Sequence, residues 1–483
     1  MNRLADSLPV NDKPAFVAHV RGDSKIQSLE AHLRSVSQLA AELAAKFRLA
    51  PHGELIGLLH DLGKYSSAFQ AYIQSATGLL NQDEDEEFVD AAGLKGKIDH
   101  STGGAQFIWQ HLAGKDALAH VAGEILAICV ASHHSGLIDC LTSSLGQPTE
   151  DGFAKRMSKS ADKTHLQEAL GKADPVLLDE ARHLLKQPEI TQAFLAWDSK
   201  ILGAVAGNTA EEKRSSPVYK QQIGLLVRAL FSCLIDADRI DTADFEHPVR
   251  ARRRLRGNYT PWQTLSARLE SHLANFTPVQ PIDDLRQQIS RHCLEAATRD
   301  TGIYTLTVPT GGGKTLASLR FALHHAHKHD LDRVIYVIPF TSIIDQNAEV
   351  VRKILEPEGI EAGSVVLEHH SNLTPEDQTW RSKILSENWD APVVYTTMVQ
   401  LLETLFGAGT RGARRMHQLA NAVLVFDEIQ SLPVRCVHLF NNAMNFLADH
   451  CRSTVVLCTA TQPLLDRVDA AVDMGDVAVL EAA

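Results

Sequence analysis

The chain has 483 residues, 44 % hydrophobic and 22 % charged, enough for about two to four ordinary domains with a substantial core. A formal net charge of −12 argues against a protein that coats duplex nucleic acid non-specifically, though not against a narrow basic groove. The start has no apolar leader core and no uncharged apolar run approaches about eighteen residues, so neither a signal peptide nor a membrane span is expected; seven scattered cysteines with no C-x-x-C pair fit a reducing cytoplasm rather than a zinc knuckle or a disulfide framework.

In chain order, residues 1–245 read as an all-α domain. SLEAHLRSVSQLAAELAAKF (28–47) sets Leu29, Leu33, Val36, Leu39 and Leu43 on one helical stripe. ELIGLLHDLGKYSSAFQAYI (54–73) reads as a second helix in which Gly63 marks a break or close packing. Residues 81–87 form an acidic loop, and QQIGLLVRALFSCLIDADRID (221–241) reads as a buried helix. Residues 246–280, basic and proline-bearing, read as a linker. From 281 to 483 short β-branched runs alternate with helical patterns: IYTLTVP (303–309), RVIYVIP (333–339), PVVYTT (392–397), AVLVFDE (422–428) and STVVLCTA (453–460). That alternation predicts an α/β domain built on a mostly parallel sheet. Two basic runs, Arg250–Arg256 and Arg411–Arg415, could line a groove for nucleic acid or be solvated loops.

The strand IYTLTVP leads into TGGGKT and then a helical run. A strand, a glycine-rich turn and a helix N-terminus make a cradle for phosphate, here Pro309, Thr310, Gly311, Gly312, Gly313, Lys314 and Thr315. Lys314 would meet the β/γ-phosphates of ATP and the Thr315 hydroxyl a Mg²⁺ ion. The strict pattern wants glycine where this chain has Val308; the form PTGGGKT resembles superfamily 2 helicases. AVLVFDEIQ ends a buried strand at Asp427 and Glu428, placing one carboxylate to hold Mg²⁺ through water and the other to orient the attacking water. TATQP (459–463) resembles that family's motif coupling hydrolysis to strand movement. IPFTSIIDQNA (338–348) and YTTMVQLL (395–402) resemble its strand-gripping segments, with Thr341, Thr396 and Thr397 as phosphate contacts. The second lobe of such a motor, with its arginine fingers, is not found in the 483 residues, so weak ATP binding and poor hydrolysis are expected unless another lobe joins it.

HDLGK (60–64) reads as helical, with His60 beside Asp61. Imidazole suits a transition metal, and a carboxylate can bridge two of them. Further donors follow along the chain: His32, His100, the pair His133–His134, and an acid within LIDADRID. This order resembles the HD metal-dependent phosphohydrolases, and within them the nuclease part of the CRISPR-associated nuclease/helicases of type I interference. The resemblance implies His32, His60, Asp61, His100, His133, His134 and Asp238 as metal ligands, with Asp236 the alternative to Asp238, and Lys64 as a phosphate contact. It implies Asp61, Lys64 and Glu428 as catalytic, and two divalent metals from Mn, Fe, Co or Ni. It further implies single-stranded DNA as substrate, an RNA-guided surveillance complex as partner, and a second helicase lobe from a longer or separate chain. Two other readings remain open: a nucleic-acid remodeller with a non-catalytic α domain, and an HD nucleotide phosphohydrolase with a regulatory ATPase lobe.

Overall fold

Ser28 accepts a hydrogen bond from the Ala31 N–H (3.2 Å) and so starts helix α1, Leu29–Ala44. The buried face of α1 carries Leu29, His32, Leu33, Val36, Ala40 and Ala44, with Leu39 and Leu43 at its half-buried margin. His32 therefore points inward from a face otherwise largely aliphatic. Helix α2, Ala50–Leu59, crosses α1 closely at Gly57, where a Cβ would lie 2.5 Å from Ser37 Cα. That approach brings the end of α2 beside His32. In this computed structural model the described residues are 15–80, 85, 89–90, 98–142, 149–252, 254–360, 363–370, 385–460 and 477–479. Most of the expected acidic loop and residues 461–463 of TATQP lie outside them.

Helix α3 (Ser101–Leu112) meets the end of α2 at Gly104, α4 (Ala117–Ser132) packs on α3 and α2, and the 30-residue α5, Pro217–Glu246, runs through the assembly, buried from Leu225 to Ala237 apart from its half-buried Val227. The N-terminal region also holds a small hairpin, Val17–Val20 with Ile26–Ser28, and a two-residue strand pair at 141–142 and 150–151, which the helical reading did not anticipate.

The second region is built on seven parallel strands: β1 (Ile303–Thr307), β2 (Arg333–Ile338), β3 (Val366–His369), β4 (Val393–Thr397), β5 (Ala422–Phe426), β6 (Thr454–Thr459) and β7 (Val477–Val479). Their order across the sheet is β7-β1-β6-β5-β2-β4-β3. Continuous apolar runs such as β5, buried at every residue, are what a sheet covered on both faces requires. Five strands coincide with the runs singled out in the sequence; β3 and β7, of four and three residues, are too short to show a pattern.

One face of the sheet packs on helices α6 (Trp262–Ala274), α7 (Pro281–Ala296), α8 (Lys314–His329) and α9 (Thr341–Leu355). The expected linker 246–280 therefore contains a helix, α6, whose Leu265 and Leu269 are fully buried in that core. Its polar and proline-rich flanks hid an amphipathic segment.

On the other face the apolar core runs on without a break into the helical region, where the Trp197 and Phe446 rings stack at 5.9 Å. Arg228 of α5, 8 % exposed, donates to the carbonyls of Thr404 (2.8 Å), Glu403 (3.1 Å) and Gly407 (2.8 Å). It thereby satisfies the C-terminal carbonyls of helix α10, Met398–Phe406. Among the described residues, no helix is long and apolar enough to cross a membrane.

Candidate metal centre and phosphate loop

HDLGK does not lie on a single helix. Helix α2 stops at Leu59, His60 caps it, and Leu62–Tyr65 form a 3-10 turn. The Gly63 N–H donates to the His100 carbonyl (3.1 Å), tying this corner to the segment that enters α3. His133 caps α4. His60, His100 and His133 thus sit at helix ends, where backbone carbonyls are free to hold imidazole rings.

Those three rings are held in that way, and His32 by a carboxylate. His60 Nδ1 lies 2.9 Å from the Gly57 carbonyl, His133 Nδ1 2.8 Å from Val130, and His100 Nδ1 3.0 Å from Ile98. His32 Nδ1 lies 2.7 Å from Asp241 Oδ2, which also accepts from Gln27 Nε2 at 2.7 Å. A carbonyl or carboxylate oxygen only accepts, so each Nδ1 carries a proton and each Nε2 is the atom left to ligate.

All four Nε2 atoms surround Asp61, which is 1 % exposed. His32 Nε2 and His60 Nε2 stand 3.4 and 3.2 Å from Asp61 Oδ2, while His100 Nε2 and His133 Nε2 stand 3.7 and 3.3 Å from Oδ1. Asp238 Oδ1 completes the first group, 3.6 Å from His32 Nε2 and 3.7 Å from His60 Nε2. His134 Nε2 faces His100 Nε2 in the second. The donors form two clusters, His32–His60–Asp238 and Asp61–His100–His133–His134, with Asp61 between them. Lys64 Nζ lies 2.7 Å from Asp61 Oδ2.

The buried Nε2 atoms of His32, His60 and His133, and Asp61 Oδ1, have no hydrogen-bond partner. Buried polar atoms are rarely left so. Four of them converging, all lone-pair donors, fit a pair of divalent cations. Electrostatics agree. Burial opposes a charged His60, yet the Asp61 and Asp238 carboxylates push it up to about 10. Asp61 is held well below the usual carboxylate range, against burial, by Lys64 and the neighbouring rings. Without cations, the cluster balances its acids with a lysine and an imidazolium. Burial pulls His100 down to about 4, leaving it neutral.

Asp236, the alternative last donor, is directed elsewhere. Arg414 Nε donates to its Oδ1 (2.6 Å) and Asn388 Nδ2 to its Oδ2 (3.0 Å), so it joins the two regions and does not face the rings. Two residues here escaped the sequence reading. Asp241 lies one turn beyond Asp238 on α5, a spacing visible in DADRID. His19, on the hairpin, stacks edge-on against His32 at 4.9 Å and carries no motif.

In the phosphate loop Gly311 and Gly313 take positive φ angles of 82° and 80°, and α8 begins at Lys314. Val308, in place of the usual glycine, is buried, and its N–H donates to the Thr459 carbonyl (3.1 Å). Pro309, Thr310 and Gly311 are exposed, Gly312 is buried, and Thr315 is half-buried. Lys314 Nζ lies 2.7 Å from Asp427 Oδ1 and also contacts Glu428. Those carboxylates raise the lysine's pKa despite burial. Gln430 donates to Glu428 and accepts from the Thr459 hydroxyl (2.5 Å), linking the acids to the end of β6. A cavity of about 650 Å³ adjoins Gly313 between α6, α7 and α8.

The other strand-contact candidates are differently engaged. Thr396 is fully buried and donates to the His369 carbonyl (3.0 Å); Thr397 accepts from the Gln400 N–H (3.2 Å) as the cap of α10. Both act as strand-end hydroxyls rather than open phosphate contacts. Thr341 opens α9. In the 250–256 run, Arg254 and Arg256 pair with Asp244.

Residues 25–201 match the family Cas3, HD domain, and residues 287–469 match DEAD/DEAH box helicase. The CRISPR-associated nuclease/helicase Cas3 of Haloferax volcanii is 26 % identical over 455 residues, spanning 85 % of this chain and 45 % of that protein. Solved structures of T. fusca Cas3 with AMPPNP and with ATP superpose with TM-scores of 0.54 and 0.53 at 17 % and 18 % identity. They cover 93 % and 92 % of this chain and 50 % of theirs, and at that identity the likeness concerns the fold. The chain spans about half the length of the relatives it matches. The chain thus carries an HD domain of the Cas3 type followed on one polypeptide by a DEAD/DEAH box helicase domain.

Proposed function

We propose that this chain cuts single-stranded DNA by metal-dependent hydrolysis, in a nuclease unit over residues 1–245, and binds ATP and Mg²⁺ in a helicase lobe from 281 onward. The observation that carries the proposal is the set of unpartnered lone pairs around Asp61, divided between its two oxygens. His32, His60 and Asp238 would hold one cation, His100, His133 and His134 the other, and Asp61 both. Mn, Fe, Co or Ni suits so imidazole-rich a set better than Mg. When bound, such a pair supplies Lewis acidity to both the attacking and the leaving oxygen of an in-line phosphodiester displacement.

The chain's own groups do the positioning. The Nδ1 tethers fix the rings, and Asp241 holds His32 through its proton. Lys64 faces the same space and offers its ammonium to a phosphate oxygen. Water attacks phosphorus, the bond to one bridging oxygen breaks, and that oxygen leaves with a proton.

In the lobe, the Gly311–Thr315 turn would cradle the phosphates, Asp427 would hold Mg²⁺ through water and Glu428 would orient the attacking water. The cavity beside Gly313 is large enough for a nucleoside. Kinship with a CRISPR-associated nuclease/helicase supports a role in type I interference, with an RNA-guided surveillance complex as partner and the cytoplasm as setting. A second helicase lobe, from a longer or separate chain, would complete the motor.

Incubating the chain with circular single-stranded DNA and Mn²⁺, Co²⁺ or Ni²⁺, without ATP, tests the reading. Linearised and degraded circles are the expected result. Hydrolysis of nucleoside triphosphates with circles left intact would overturn it in favour of a nucleotide phosphohydrolase.

A further inference from the structure

A cavity of about 740 Å³ opens on Asp61, His133 and Asp238 from one side, and its opposite wall carries Arg411, Arg414 and Arg415 of the helicase region. We propose that Arg411 and Arg415, with Arg239 of α5, grip the phosphates of a DNA strand beside the scissile bond, so that the cutting site is shared between the two regions. This rests on the nuclease reading above.

The arginine run is pinned against the metal donors from three directions. Gly136, two residues beyond His134, packs so closely on Gly409 that a Cβ would lie 2.4 Å from its Cα, and its φ of 92° also demands glycine. Arg239, the residue after Asp238, donates to the Thr410 hydroxyl at 2.5 Å. Arg414 donates to Asp236 on the same helix. The run is therefore held at a fixed place beside the candidate ligands.

The three neighbouring arginines then differ in charge balance. Arg414 is neutralised by Asp236 (2.6 Å) and Glu387 (3.0 Å), and its role is to join the regions. Arg411 is exposed, and among the described residues neither it nor Arg415 nor Arg239 has a carboxylate within ion-pair distance. Arg415 is 3 % exposed; it donates to the Glu387 carbonyl (3.2 Å) and Gln400 Oε1 (3.0 Å) and lies over the Trp389 ring at 5.6 Å. Burial pulls its pKa down to about 10. A desolvated guanidinium without a counter-charge is costly unless something anionic meets it. Of the four acids lining the cavity, Asp61 and Asp238 would be engaged with cations and Glu387 is paired with Arg414, which leaves Glu246 near the end of α5. A phosphodiester backbone supplies the missing negative charge, and the guanidinium fork suits its oxygens.

The test compares two substrates of the same metal site, in the full chain with Mn²⁺. Circular single-stranded DNA extends past the cutting point; bis(p-nitrophenyl) phosphate does not. In an Arg411→Ala/Arg415→Gln variant, the ratio of strand-cutting to small-diester kcat/KM is expected to fall about tenfold or more, through KM, with bound metal retained. The log–log salt dependence of KM should become shallower by about 1.4, the share of two phosphate contacts on a single strand. Because Arg415 is buried, Arg411→Ala alone provides a second reading: its side chain is exposed, and its salt slope should shift by about 0.7. An unchanged ratio and slope in both variants, with an active parent, would overturn the grip alone. Parallel loss of both activities together with metal would overturn it too, by assigning the run a purely structural role. A parent chain inert on both substrates would overturn the nuclease reading itself and the grip with it.

Discussion

The cluster around Asp61 and the loop around Lys314 each set a lysine against a carboxylate, yet they differ in what surrounds that pair. Around Asp61, lone pairs are aimed at one another across a small space, each imidazole fixed from behind by a backbone or carboxylate oxygen. Around Lys314, the cation closes directly on Asp427 and Glu428, and the charges cancel. The first site is preorganised in its rings: admitting cations must displace Lys64 from Asp61 and the proton from His60, but leaves the tethers in place. The second must open its own ion pairs before phosphate and Mg²⁺ can take their places. The contrast teaches that the two sites can be separated, one acting on a strand without ATP and the other answering to nucleotide.

The largest effect that could break this comparison comes from Asp61→Ala. Removing the shared carboxylate should reduce cutting of single-stranded DNA about 10³-fold, the several kcal/mol expected when a metal pair is lost, and metal analysis should show the loss directly. Lys314→Ala should weaken ATP turnover or binding by about 10²-fold, as removal of a preorganised charge does, while naked-strand cutting without ATP stays within about twofold of the parent. Equal damage to cutting from both substitutions would show that the sites are not separate.

Asp241→Asn sharpens the role of the tethers. The residue touches His32 and no substrate, and its loss should cost about 10- to 100-fold in metal affinity, as for other partners behind a ligand. Proton linkage gives a smaller effect. His60 is held protonated up to about 10 in the cation-free cluster. It must lose that proton to ligate, so Mn²⁺ affinity should rise with pH between 7 and 9, by about tenfold per unit for one released proton. Titrations at two pH values measure it; affinity falling with pH would contradict the assignment of His60.

Much of this was legible in the sequence because the relevant signals are local. A strand, three glycines, a lysine and a helix announce the phosphate loop within one short segment, and HDLGK does the same for the centre of the cluster. What stayed hidden depends on contacts distant in the chain. Asp236 and Asp238 stand two residues apart on one helix, and Arg414 and Asn388, far along the sequence, show why the first turns away from the rings. The buried helix α6 was masked by basic and proline-rich flanks that read as a linker. Thr396 and Thr397 matched a strand-gripping motif, yet the neighbouring His369 carbonyl and the first turn of α10 take their hydroxyls. Asp241 could have been found, since it follows Asp238 at helical spacing; His19 could not, because nothing around it marks a site.

Crystals of the chain soaked in Mn²⁺ and measured at the manganese absorption edge bear on the matter most directly. Two anomalous peaks about 3.5–4 Å apart, one on each side of the Asp61 carboxylate, are the expected result. Manganese bound only at the surface, or no peak within reach of His32, His60, His100 and His133, would contradict the account.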